Sequence, residues 1–315
     1  MSGGGMALDA PVYVAGHTGL IGSALVRRLR GAGFSNLLLR THEELDLTDP
    51  AAVEAFFAAH RPEVVFLMAG KAGGIEANRT RGGEFIRDNL AIQVNVMDAA
   101  RRHGAGRLVF PASACAYPRD GDQPIRPEML MAGPVEPGSA PFATAKLAGV
   151  AMIRAYNAQY GTRFLPVVPA TAYGPGDHFD TGGHVISSLM ARMHAAKAAG
   201  AEAVTVWGTG QCRREFLYVD DLADALILLA GKPDVTDLVN VGFGEDISIA
   251  ELAERIASAV GFAGRLEFDT SRPDGMPRRL LDSAAIRRLG WAPRTPLDDG
   301  LAATYRWYVE QGGRA

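Results

Sequence analysis

Two short stretches carry residue types that can do chemistry. In PASACAYP, Ser113 and Cys115 stand two residues apart at the end of the apolar run RLVF. In PFATAK, Phe142 and Lys146 are four residues apart, so a helix presents them as neighbours on one face. Further on, His184 closes the glycine-rich stretch YGPGDHFDTGGH. A thiol and an imidazole can both move protons near neutral pH, while a hydroxyl and an ammonium can stabilise negative charge. Each residue also has a plainer reading. Cys115 would pass as a small buried hydrophobe, Ser113 as a strand-end hydroxyl, and Lys146 and His184 as solvated side chains.

A third motif, GHTGLIG, places Gly16, Gly19 and Gly22 between a strand and a helix, with Leu20 and Ile21 inside the turn. In that context glycine spacing reads as a dinucleotide fingerprint, because backbone N–H groups can approach a pyrophosphate at the positive helix end. The second strand ends in Arg40 rather than an acidic residue, which favours NADP over NAD, although a solvated surface arginine fits the same position. Asp46 and Leu47, in ELDLTD, resemble the adenine-contacting pair of the family named below; Asp46 fits equally well as the cap of a helix starting near Pro50.

These residues need a frame. Apolar runs at 12–15, 36–39, 64–68, 107–110 and 163–168 alternate with helical patterns, which argues for an α/β fold built on a doubly wound parallel (Rossmann) sheet. After Pro169 the rhythm loosens. Residues 1–170 with about 216–245 are expected to form the dinucleotide-binding domain, and about 171–215 with 246–315 a smaller, discontinuous substrate lobe. With 315 residues, 21% charged, and a net charge of −3, the chain has no footprint for nucleic acid or a membrane surface. Two cysteines suit a reducing compartment, and no apolar run reaches spanning length, so the expectation is cytoplasmic. The opening MSGGGM reads as an unstructured tail. No metal site is expected.

With AGHTGLIGSA, LRTHEELDLTD, AGKAGGIEAN, PASACAYP, PFATAKLAG, YGPGDHFDTGGHVI, VTVWGTGQCRREFLYVDD and RPDGMPRRLLD, the chain resembles the extended short-chain dehydrogenase/reductase family. The likeness is to its GDP-4-keto-6-deoxy-D-mannose 3,5-epimerase/4-reductases and covers nearly the whole chain. It implies that Cys115 acts as base at C3 and C5 and that His184 returns a proton to the opposite face. Ser113 and Lys146 would stabilise the enolate, and Lys146 would also bond the nicotinamide ribose. It further implies an NADP site completed by Pro169 and His184. A GDP-sugar would be gripped by Arg192, Trp207, Arg214, Asp274 and Arg279. For any one of these arginines a surface ion pair accounts for the residue equally well.

Two departures stand out. Many bacterial members place arginines where Thr18 and His42 stand here, leaving Arg40 to carry the NADP preference. More consequential, the family's proton-donating tyrosine is Phe142 in this chain. Phenylalanine keeps the shape and has no proton to give, the change an experimenter makes to trap a substrate complex; as a natural residue it implies an enzyme that epimerises through Cys115 and His184 without efficient reduction. A related NDP-hexose or NDP-heptose epimerase or reductase, and a non-catalytic NADP-binding protein of the same fold, are the alternatives. Helices around 83–103 and 141–160 carry extra apolar faces, so a homodimer through a four-helix bundle is expected.

Overall fold

The computed structural model describes residues 5–73, 75–179, 183–272 and 274–313. Residues 1–4 of the expected tail and 180–182 of the glycine-rich stretch lie outside them. The first half alternates β1 (Val12–Ala15), α1 (Leu20–Gly31), β2 (Leu37–Leu38), α2 (Pro50–His60), β3 (Val64–Leu67), α3 (Ile75–Arg102), β4 (Arg107–Pro111), α4 (Ala140–Tyr160) and β5 (Phe164–Pro169). The second half adds β6 (Thr171–Tyr173), α5 (Val185–Ala198), β7 (Ala203–Trp207), β8 (Arg213–Arg214), β9 (Phe216–Tyr218), α6 (Val219–Ala230) and β10 (Val239–Val241). It ends with β11 (Ile247–Ser248), α7 (Ile249–Val260), β12 (Arg265–Asp269), β13 (Arg278–Arg279), α8 (Ala284–Arg288) and α9 (Leu297–Glu310).

Six parallel strands form the main sheet in the order β10-β5-β4-β3-β1-β2. β1, β3 and β4 are buried along their whole length, as strands covered on both faces must be, which explains why they are apolar apart from the buried Arg107 that opens β4. Helix α1 packs with α6, while α2 packs with α3 and α3 with α4, so the sheet is doubly wound. Strand order reverses at β1, which opens a crevice between the carboxyl ends of β1 and β3. β2 is shorter than the run at 36–39, being an edge strand that is only half-buried.

Two apolar cores divide the molecule. The first follows the main sheet and takes in residues from α6, β10 and the α8 region, including Leu281, Ile286 and Trp291. The second packs α5, α7 and α9 around β7 and the ends of β6 and β9. The chain from Leu281 to Trp291 therefore returns to the sheet, although its place in the sequence suggests the small lobe. Between the cores stands the buried Glu215, which accepts hydrogen bonds from Gly244 N at 2.6 Å and Leu281 N at 3.0 Å. Burial raises its carboxyl to about 7.

Candidate active site

Two positions around the turn after β1, Gly16 and Gly22, admit only glycine. A Cβ on Gly22 would lie 2.0 Å from Gly16 O, and one on Gly16 (φ +79°) would lie 2.7 Å from Ala69 Cα. Both obstacles are backbone and cannot swing aside. Gly19 starts α1 with no side-chain cap and no acidic residue in the first turn. The N–H groups of Leu20, Ile21 and Gly22 therefore end at the switch point with the positive helix end unneutralised. That cradle fits a pyrophosphate.

Arg40 follows β2, half-buried, with Nη1 donating to Leu39 O at 2.7 Å and the guanidinium 5.6 Å above the Phe56 ring. Asp46 does not cap α2. That helix begins at Pro50, so the cap position falls to the residue directly before it, Asp49, whose Oδ1 accepts from Ala51 N at 2.8 Å. Asp46 instead closes a local turn, its Oδ1 accepting from Thr48 N and Thr48 Oγ1, both at 2.8 Å. Leu47 is buried, and Asn95 Nδ2 donates to its carbonyl at 3.0 Å.

The second group meets at the end of β4. Lys146 is buried, donates from Nζ to Pro111 O at 2.9 Å, and lies 4.6 Å above the Phe110 ring and 5.7 Å from the Phe142 ring centroid. Burial lowers its ammonium from 10.5 to about 8. Phe142 is half-buried in the first turn of α4. Ser113 Oγ accepts from Cys115 N at 3.2 Å, and the half-buried Cys115 Sγ receives Arg279 Nη1 at 3.4 Å. Burial pushes that thiol up, but the Arg279 charge and hydrogen bonds from Ser113, Ser139 and Arg279 bring it below its ordinary range. Pro169 ends β5, paired with Val241 of β10.

His184 is the N-cap of α5 rather than part of the helix that carries Arg192. Its Nδ1 lies 3.0 Å from Asp177 Oδ1; the Asp177 side chain is 2% exposed and that of His184 47%. A buried carboxylate thus orients an outward imidazole. The neighbouring Gly176 (φ +93°) lies against α1, where a Cβ would stand 2.8 Å from Ser23 Oγ. This seats the loop beside the glycine turn.

A cavity of about 380 Å³ between α5 and β7 is lined by Arg192, Ala196, Ala203, Val204, Thr205 and Trp207. Trp207 is 56% exposed, and Arg272 lies 5.0 Å from its ring centroid. Arg214 Nη1 donates to Met276 O at 2.6 Å, which anchors it beside the segment that carries Arg279. Asp274, expected to touch the ligand, accepts from Thr209 N at 3.0 Å and from Thr209 Oγ1 at 2.7 Å. Its carboxylate holds the turn after Trp207. Sequence reasoning missed Asp177 and Asn89. The buried Asn89 donates to Lys71 O at 2.9 Å and accepts from Lys71 N at 3.1 Å, tying the loop after β3 to α3. An asparagine at the start of the apolar run LAIQV, after Arg87 and Asp88, was the available sign.

This combination of fold and site defines a nucleotide-dependent enzyme of the epimerase and reductase kind: residues 12–242 match the family model described as the NAD dependent epimerase/dehydratase family, and the chain belongs to it. Within it, the chain is similar to GDP-L-fucose synthase 1 of Arabidopsis thaliana, with 47% identity covering 96% of this chain and 94% of that protein. It is 43% identical to the GDP-L-fucose synthase of Escherichia coli (strain K12), covering 96% and 98% respectively. Among solved structures, a GDP-mannoheptose C4 reductase from Campylobacter jejuni with NADP bound superposes with a TM-score of 0.89 at 37% identity, covering 97% of this chain and 100% of that one.

Proposed function

We propose that this chain is an NADPH-dependent epimerase/reductase of a GDP-4-keto-6-deoxy-hexose, impaired in the reduction step by Phe142. The observation that carries the reading is the placement of Cys115 beside Ser113, at the strand end where Lys146 is anchored. A simple reductase has no use for a thiol there; an epimerase needs a base. The glycine cradle and Arg40 fit NADPH, which supplies the hydride when bound. Cys115 takes the proton next to the ketone, Ser113 and Lys146 stabilise the enolate oxygen, and His184, oriented by Asp177, returns a proton. Arg192 and Trp207 line a cavity suited to the nucleotide, and Arg214 and Arg279 supply positive charge.

Titration of the purified protein tests this. NADPH is expected to bind more tightly than NADH, and GDP more tightly than UDP; absence of GDP binding would remove the substrate assignment. The similarity to a heptose reductase supports a second reading, a GDP-heptose substrate, which turnover of the two keto-sugars side by side distinguishes.

Helices α3 and α4 pack together, with Val94 48% and Tyr160 47% exposed. A homodimer that joins these helices in a four-helix bundle is the proposed assembly, and light scattering is expected to give twice the chain mass. Two free cysteines fit a cytoplasmic enzyme. Among the described residues no helix is long and apolar enough to cross a membrane.

A further inference from the structure

We propose that Arg279 is a positioning residue for the thiol chemistry, its guanidinium holding Cys115 as the thiolate that removes the proton next to the ketone. This rests on the reading of Cys115 as the base. Among the described residues Arg279 is a cation without a counter-ion: Nη1 points to Cys115 Sγ at 3.4 Å, Nη2 to Met276 Sδ at 3.0 Å, and the buried Nε has no partner. Among the described residues no carboxylate pairs with it. A thioether accepts weakly, so the strongest available acceptor for this guanidinium is an ionised thiol.

The geometry is fixed from both sides. β13 pairs in parallel with β8, setting Arg279 opposite Arg214. Arg278 points the other way, to Asp246. Just beyond, Leu280 N donates to Gln123 Oε1 at 2.9 Å and Leu281 N to Glu215 Oε2 at 3.0 Å. The groups facing the thiol are Ser113 from the end of β4, Ser139 from the turn before α4, Arg279 from β13 and, at longer range, Arg214 from β8. Burial opposes the anion, and the two cations and two hydroxyls together outweigh it. In the step itself the thiolate forms an S–H bond, the C–H bond breaks, and its electron pair moves to the ketone oxygen as an enolate.

The test is the pH dependence of iodoacetamide alkylation in a Cys212→Ser background, where Cys115 is the sole thiol. The expected result is a midpoint below the usual value of about 8.5. Arg279→Met is expected to raise that midpoint by about one unit or more, so that alkylation at neutral pH slows about tenfold while the alkaline plateau is unchanged. Arg279→Lys, which keeps the charge and loses the fork, is expected to give a smaller rise. An unchanged midpoint in both variants would overturn the proposal, as would an unchanged midpoint in Arg279→Lys if Arg279→Met does not fold. The readout needs no sugar, so failure of the substrate assignment leaves it separately measurable.

Discussion

Replacing Phe142 with tyrosine is expected to raise reduction of the 4-keto-sugar by roughly 10²- to 10⁴-fold, the usual contribution of a positioned acid. The ring is half-buried in the first turn of α4, with the Lys146 ammonium 5.7 Å from its centroid. A phenol there would sit beside a cation that favours its ionised form and eases proton release. NADPH affinity is expected to change little, because Lys146 is anchored on Pro111 O and not on residue 142. Epimerisation is expected to persist in both proteins, seen as solvent deuterium entering C3 or C5. An unchanged reduction rate in Phe142→Tyr would assign the donor elsewhere, for instance to Ser113 with a water.

The second large effect is expected for Lys146→Met, which should slow reduction by roughly 10²- to 10³-fold through loss of charge at the developing alkoxide. Turnover of the parent enzyme should fall as pH rises through about 8, where the buried ammonium loses its proton, and Lys146→Met should lack that limb. Stability moves the other way. Because the folded value lies below the ordinary 10.5, the cost of burying the charge is fully present below about 8 and is relieved between about 8 and 10.5. The parent should therefore gain stability relative to Lys146→Met across that window in denaturant titrations. A parent profile without an alkaline limb would remove Lys146 from this role.

The sheet was legible because β1 and β3 are continuous apolar runs and β4 is apolar after Arg107, as strands covered on both faces require. The glycine turn was legible from spacing and context. Contacts across the chain were not. Arg279 meets Cys115 over a separation of 164 residues, and no local pattern announces such a pair. Asp177 reads as one more loop aspartate until the fold buries it beside His184. Which aspartate caps α2 was not legible, since Asp46 and Asp49 offer the same chemistry to a nearby helix start. Strands of two or three residues, such as β8 and β13, are set by their tertiary partners and have too little sequence to declare themselves.

The return of the chain to the first core bears on how the protein is made. During synthesis β1 to β5 leave the ribosome first, with the outer edge of β5 unpaired. Its neighbour β10 arrives only about seventy residues later, after most of the second core's first half has emerged. An unpaired apolar edge is a template for wrong pairing with other nascent chains. The stretch from Leu281 to Trp291 seals that core later still. Truncation anywhere before residue 239 would therefore leave a sheet with an open side, and neither core can be cut from the gene as one continuous piece.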